Sequence, residues 1–271
     1  MILQHLITKQ HKKNKMKIPD SQIAITLFNL RDYCQTAEDF DRTLERLKDI
    51  GFKAVQISCI GPIEPAEVKK ILDKNEMFCC ATHEGLAGLR NNFEDIVAKM
   101  KLWECDFTAL GYPGDDCWSL EGMLALAKEL DEIGGKFKAE GLKLGFHNHH
   151  YEFVKYTNKT FLDELYDRAP NLYGELDTYH TVGGGGDPVQ WIHKLEGRMP
   201  VCHFKDFSII DREPVSCEVG EGNLNWPPII QACKDTNVRW YTIEQDDPLP
   251  HRDIWDSTEL SYKNLTAMGV S

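Results

Sequence analysis

A chain of 271 residues that is 42% hydrophobic is long enough to bury a large core. Its formal net charge of -12 at pH 7 argues against nucleic acid or an anionic membrane as main partner, and no run of about 18 apolar residues offers a membrane span. The nine cysteines are odd in number, form no C-x-x-C pair and fall mostly within apolar runs, so they read as reduced core thiols of a cytoplasmic protein and not as a disulfide framework.

From the start, MILQHLITKQHKKNKMK places basic residues after a very short apolar stretch. A secretory signal has the opposite order. Residues 1–20 therefore read as a disordered extension, and residues 21–271 as one domain. From Gln22 onward, short apolar runs alternate with charged amphipathic ones. The strand candidates are QIAITLF (22–28), KAVQISCI (53–60), MFCCATH (77–83), FTALGY (107–112), LKLGFHNHH (142–150), LYGELDTYH (172–180), VCHFKDF (201–207) and WYTIEQD (240–246), each bounded by turn residues.

The segments between them carry helical spacing. Phe40, Leu44 and Leu47 repeat at i, i+4 and i+7, and Leu126, Leu130, Ile133 and Phe137 do the same before the stop signal Gly141. Residues 64–75, 91–105, 160–170, 187–198, 225–237 and 258–269 supply the other helices. Strands alternating with helices favour a parallel sheet, and eight such units of this length predict a closed (β/α)8 TIM barrel. The glycine run Gly183–Gly186 is no G-x-G-x-x-G fingerprint and reads as a flexible loop. No P-loop or G-x-S-x-G motif is present.

Alternation sets which side chains enter the barrel. With Leu142, Leu144 and Phe146 facing the helices, Lys143, Gly145, His147 and His149 face inward. By the same parity Tyr173, Glu175 and Asp177, His203 and Lys205, and Thr242, Glu244 and Asp246 face inward. Phe78 and Cys80, placed outward, leave His83 on the inner side. Asn148 and His150 take the outer parity and are expected to hold neighbouring loops or orient ligands. Histidines, carboxylates and a lysine thus gather at carboxyl ends of strands, where barrel enzymes carry their chemistry. Such charge is costly to bury unpaired. A divalent cation resolves the conflict, and this oxygen and imidazole donor set suits Mn²⁺, Co²⁺, Zn²⁺ or Mg²⁺.

Four blocks in order, GFHNHHYEF, GELDTYH, VCHFKDF and WYTIEQDDP, together with VGEGNLNWPPII, resemble the sugar phosphate isomerase/epimerase superfamily with the xylose isomerase-like TIM barrel. They resemble its H-N-H-x-x-E-F subgroup in particular. The resemblance covers nearly everything after the extension. It implies one divalent metal held by Glu152, Asp177, His203 and Glu244, with His180 binding substrate. A glutamate that sugar epimerases place near His147 is absent here, so Glu152 is expected to reach back to the metal while His147 or His149 faces the substrate.

The expected activity is isomerisation or epimerisation of an unphosphorylated sugar or keto-sugar through a metal-stabilised enediolate. His149 and His147 are the acid/base candidates, Glu244 is both ligand and base, and Lys205 an electrophilic or orienting cation. His180, His83, Glu221 and Arg31 are expected at the substrate. The alternative on the same fold is a metal-dependent lyase or dehydratase of a keto-sugar, keto-glycoside or keto-inositol. A third reading is a non-catalytic sugar-binding subunit. The acidic charge opposes a nuclease of the AP endonuclease kind. A homodimer through the helices is an open expectation.

Overall fold

The computed structural model describes residues 17–249 and 251–271; residues 1–16 of the expected extension lie outside them. Eight parallel strands close into a barrel: β1 (Ile23–Thr26), β2 (Ala54–Ile57), β3 (Phe78–Glu84), β4 (Phe107–Leu110), β5 (Lys143–His147), β6 (Tyr173–Asp177), β7 (Val201–Phe204) and β10 (Trp240–Ile243). Around them lie α1 (Ala37–Ile50), α2 (Pro65–Lys74), α3 (Leu86–Asn91), α4 (Phe93–Leu102), α5 (Leu120–Ala139), α6 (Phe161–Arg168), α7 (Thr178–Gly183), α8 (Pro188–Lys194), α9 (Trp226–Asp235) and α10 (Ile254–Ala267). A hairpin of β8 (Asp206–Ile210) and β9 (Glu213–Cys217) is inserted after β7.

Local chemistry sets the boundaries. Thr36 caps α1 by accepting the Asp39 N–H, and Gly51, at φ 124°, ends it. Thr160 and Asp163 form a reciprocal capping box on α6. Two runs read as long strands break early for such reasons. LYGELDTYH stops at Asp177, whose side chain caps α7 through the His180 N–H, so His180 sits in the first turn of a helix. VCHFKDF stops at Phe204, and Asp206 opens the hairpin.

The barrel interior has two storeys. At the amino ends of the strands Ala24, Ala54, Phe78, Phe107, Val201 and Trp240 fill it with apolar side chains. The Phe78 and Trp240 rings stack at 5.5 Å. Gly145 has no side chain because a Cβ there would meet the Phe107 ring at 2.4 Å. At the carboxyl ends the interior turns polar. The expected parity holds for β5, β6, β7 and β10 but not for β3. Phe78 and Cys80 belong to the inner core, while Cys79 packs outward. The β2–β3 register jumps between Cys79 and Ala81, so Cys80 is an inserted bulge residue. The bulge restores His83 to the inner face, where the simple alternation had placed it for the wrong reason.

Eight of the nine free cysteines are buried, and Cys59 is exposed. Among the described residues no helix is long and apolar enough to cross a membrane.

The glycine run is packed. A Cβ on Gly184 or Gly186 would lie 2.3 or 2.5 Å from the Phe153 ring, so these glycines form the seat of that ring, next to Glu152. Only Gly185, at φ 81°, is demanded by backbone conformation. Gly184→Ala should cost about 1–3 kcal/mol through overpacking and lower Tm by ~2–12 °C. Thermal unfolding measures this; an unchanged Tm would restore the flexible-loop reading.

Candidate metal centre and active site

Strands β5, β6, β7 and β10 bring His147, Asp177, His203 and Glu244 together, with one donor atom of each within 4.8 Å of the others. All four are buried. Asp177, His203 and Glu244 are three of the four metal ligands the resemblance implied. The fourth, Glu152, stands outside the donor groups; its Oε2 accepts the His149 N–H at 2.8 Å.

The donors fit a divalent cation. Asp177 Oδ1 accepts the His180 N–H at 2.7 Å, but Oδ2 is buried without a hydrogen bond. His147 Nδ1, 3.6 Å from Glu175 Oε2, is also buried without a hydrogen bond, as is Glu152 Oε1, which lies outside the group. His203 Nδ1 lies 2.5 Å from Glu244 Oε2, yet in a direction that makes no hydrogen bond. Bare, converging oxygen and imidazole atoms of this kind suit a hard or borderline divalent ion.

Lys205 is fully buried behind them. Its ammonium donates to Glu244 Oε1 at 3.2 Å, pairs with Asp246 Oδ2 at 2.6 Å and faces His180 Nε2 at 3.3 Å. Burial works against the Lys205 charge, but Glu244 and Asp177 outweigh it and raise its pKa. Burial likewise opposes the Glu244 carboxylate, and His203 and Lys205 hold it well below the usual range. Burial pushes Asp177 up to about 7 and Glu152 up to about 7. His203 is driven the other way: burial lowers it, but Glu175 and Glu244 raise it well above an ordinary histidine. Burial lowers His147, takes His149 to about 4 and, with Lys205, takes His180 to about 2.

These directions give cation binding a sign. Asp177, at about 7, and the raised His203 hold protons that an incoming cation must displace. Raising the pH removes those protons, so affinity for Mn²⁺ should climb by at least about tenfold between about pH 5.5 and 8, with proton release on binding. Calorimetry in buffers of different ionisation enthalpy measures it. Affinity that falls or stays level over this range would exclude these two groups as ligands.

A cavity of about 750 Å³ opens beside the donors. His147, His149, His83 and Glu244 line it, together with Phe28, Tyr112 and Tyr151. His83 shows the cavity its ring, but both nitrogens are engaged, with Ser58 Oγ at 3.2 Å and Glu175 Oε2 at 2.5 Å. Arg31 supports the rim. Its guanidinium donates to the carbonyls of Phe28 and Asp246 and to Asp247, tying the β1 end to the β10 end.

Glu221 is not brought to this group. It is exposed, accepts from Asn264 at 3.1 Å and faces Arg252, because the glycine-bounded loop carries it toward α10. Asn148 Oδ1 accepts the Asp177 N–H, and His150 lies ring to ring with His180. Two residues were not nominated. Glu175 accepts from Gln56 and His83 beneath the donors, and Gln56 also meets His203. The available signal was Gln56 itself, the polar residue in the apolar run AVQI, on the inner parity with Ala54.

A closed parallel barrel with carboxylates and imidazoles at its carboxyl face is a (β/α)8 scaffold of the kind that carries enzymes. The profile of the xylose isomerase-like TIM barrel family matches residues 44–261, and the chain belongs to that family. The inosose dehydratase of Clostridium perfringens is 27% identical over 141 residues, 45% of this chain and 47% of that protein. The match thus spans about half the length of that relative. Among solved structures, a sugar phosphate isomerase/epimerase from Parabacteroides distasonis superposes with TM-score 0.74 at 20% identity, covering 93% of this chain and 96% of that one. An L-ribulose 3-epimerase superposes with TM-score 0.71 at 14% identity, covering 92% and 94%. At these identities the structural likeness speaks for the fold.

Proposed function

We propose that this chain is a divalent-cation-dependent isomerase or epimerase of an unphosphorylated sugar or keto-sugar. The observation that carries the reading is the buried group His147, Asp177, His203 and Glu244, two of whose members, His147 and Glu244, line a cavity. When bound, a divalent cation polarises a carbonyl and acidifies the neighbouring C–H. The remaining work falls to side chains. His149 faces the cavity, and burial keeps its ring neutral at pH 7, so it is the proton acceptor. Glu244, held as a carboxylate by His203 and Lys205, is better suited to ligation than to taking a proton. Lys205 fixes Glu244, Asp246 and His180 from behind and supplies the compensating charge.

Returning the proton to the adjacent carbon isomerises the sugar; returning it to the opposite face epimerises it. Among the described residues the cavity lining contains Glu84, Glu244 and Asp246 but no lysine or arginine, which favours an uncharged substrate over a sugar phosphate. A second reading is favoured by the sequence match to inosose dehydratases. There the enediolate expels a β-hydroxyl, and the proton held by His149 leaves with it as water.

Incubation with ketoses and inososes in D₂O, with Mn²⁺, Co²⁺ or Mg²⁺, separates these outcomes. The proposal expects cation-dependent deuterium at the carbon beside the carbonyl. Loss of the mass of water identifies the dehydratase. Sugar binding with no exchange under any cation would leave a binding subunit and end the enzymatic reading.

A further inference from the structure

We propose that Gln56 and Glu175 form a relay that selects which nitrogen of His203 faces the cation site. The inference rests on the cation-dependent reading above. Neither residue touches the cavity; both are positioning residues, buried below the donors.

Glu175 comes from β6 and is fully buried. Its Oε2 lies 2.5 Å from His83 Nε2, 3.5 Å from His203 Nε2 and 3.6 Å from His147 Nδ1. Set among three imidazole rings, it acts as a carboxylate, and a carboxylate only accepts hydrogen bonds. The Gln56 atom that faces Glu175 Oε1 at 2.9 Å must therefore be the amide nitrogen. The reverse orientation would set oxygen against oxygen. With its nitrogen so committed, Gln56 turns its carbonyl Oε1 to His203 Nε2 at 2.7 Å. That oxygen cannot donate, so the proton of this contact belongs to His203 Nε2. Once a cation displaces the second proton, the lone pair of the neutral ring is left on Nδ1, the atom directed at Glu244.

His83 secures the far end. Its Nε2–H is directed to Glu175 Oε2, and its Nδ1 accepts from Ser58 Oγ. The chain Ser58–His83–Glu175–Gln56–His203 thus crosses the barrel between β2, β3, β6 and β7. Each link fixes the donor and acceptor roles of the next. Partners of this kind commonly fix the tautomer of a metal-binding histidine. In this barrel the histidine's partner is a glutamine, itself oriented by a buried carboxylate.

The test uses Zn²⁺ as a diamagnetic probe and the full chain labelled with ¹⁵N-histidine. In the Zn²⁺-loaded parent, long-range ¹H–¹⁵N spectra should show the His203 proton on Nε2 and the cation-shifted signal on Nδ1. Gln56→Met, which keeps the shape and removes the polar relay, should bind Zn²⁺ about 10–100-fold more weakly in chelator competition, with the two His203 tautomers mixed. Glu175→Gln, which frees the Gln56 amide to turn, should mix the tautomers too, and it decides the matter with the parent spectrum where Gln56→Met does not fold. A parent spectrum with the proton on Nδ1 and Nε2 bound to Zn²⁺ would overturn the relay, as would unchanged affinity and tautomer in a folded Gln56→Met. A parent that takes up no Zn²⁺ at all overturns the cation-dependent reading, and the relay's role falls with it. The spectra distinguish that failure from Zn²⁺ binding through the other nitrogen.

Discussion

Asp177→Ala and His203→Ala should each abolish cation retention and activity together. Asp177 contributes the bare Oδ2 and His203 the bare Nδ1 of a four-residue donor group. Removing either leaves three donors, and removing Asp177 also takes away a negative charge that favours the charged form of buried Lys205. Loss of Lewis-acid stabilisation worth several kcal/mol corresponds to a fall in kcat/KM of about 10³-fold or more. The Asp177 change also removes the α7 cap, so the folded state of both variants must be checked by circular dichroism. Alanine at either position with full activity and full cation affinity would remove that residue from the centre.

The second large effect is on stability. Asp206 lies immediately after Lys205 and takes no part in the donor group. Its carboxylate accepts five hydrogen bonds, from the backbone N–H of Phe207, Gly220, Gly222 and Leu224 and from Trp226 Nε1. Gly222 can approach only because it has no side chain: a Cβ there would meet Asp206 Oδ1 at 2.4 Å. One buried carboxylate therefore ties the base of the β8–β9 hairpin to the loop that leads into α9. Asp206→Ala should cost about 3–5 kcal/mol, because it strands several buried donors, and lower Tm by ~6–20 °C. Asp206→Asn, which keeps one accepting oxygen, should fall between. Urea unfolding of the three proteins measures the series. An alanine variant as stable as the parent would mean that packing alone holds the loop. Because Lys205 is the neighbouring residue, the folded fraction of Asp206→Ala should also lose activity.

The barrel was legible because its strands and helices carry different hydrophobic periods and turn residues separate them. The inward placement of His147, Asp177, His203 and Glu244 followed from alternation alone. Alternation failed at β3, where the bulge at Cys80 shifts the phase; CCAT has no glycine or charge to mark it. Strand ends were overrun where one side chain stops the strand. Asp177 caps a helix that begins at the next residue, and Asp206 gathers a loop 14 to 20 residues further along the chain, so neither stop is marked within the apolar run itself. Gly183–Gly186 misled because glycine signals backbone freedom and close packing alike, and only the position of Phe153 tells them apart. Gln56 and Glu175 were missed as supporting residues for a related reason. Their partner nitrogens come from β3 and β7, and the pairing exists only once the barrel closes. Glu221 was drawn in by its glycine-rich neighbours, yet its own contacts are with Asn264 and Arg252.

The most direct measurement is the metal content of the purified protein by elemental mass spectrometry, beside Asp177→Ala. The arrangement of bare donors predicts about one divalent ion per chain in the parent, in keeping with a single carboxylate–imidazole site, and its loss from the folded variant. Absence of any divalent ion from the parent, even after soaking in Mn²⁺, Co²⁺, Zn²⁺ and Mg²⁺, would contradict the account. The clustered histidines and carboxylates would then serve structure or cation-free binding.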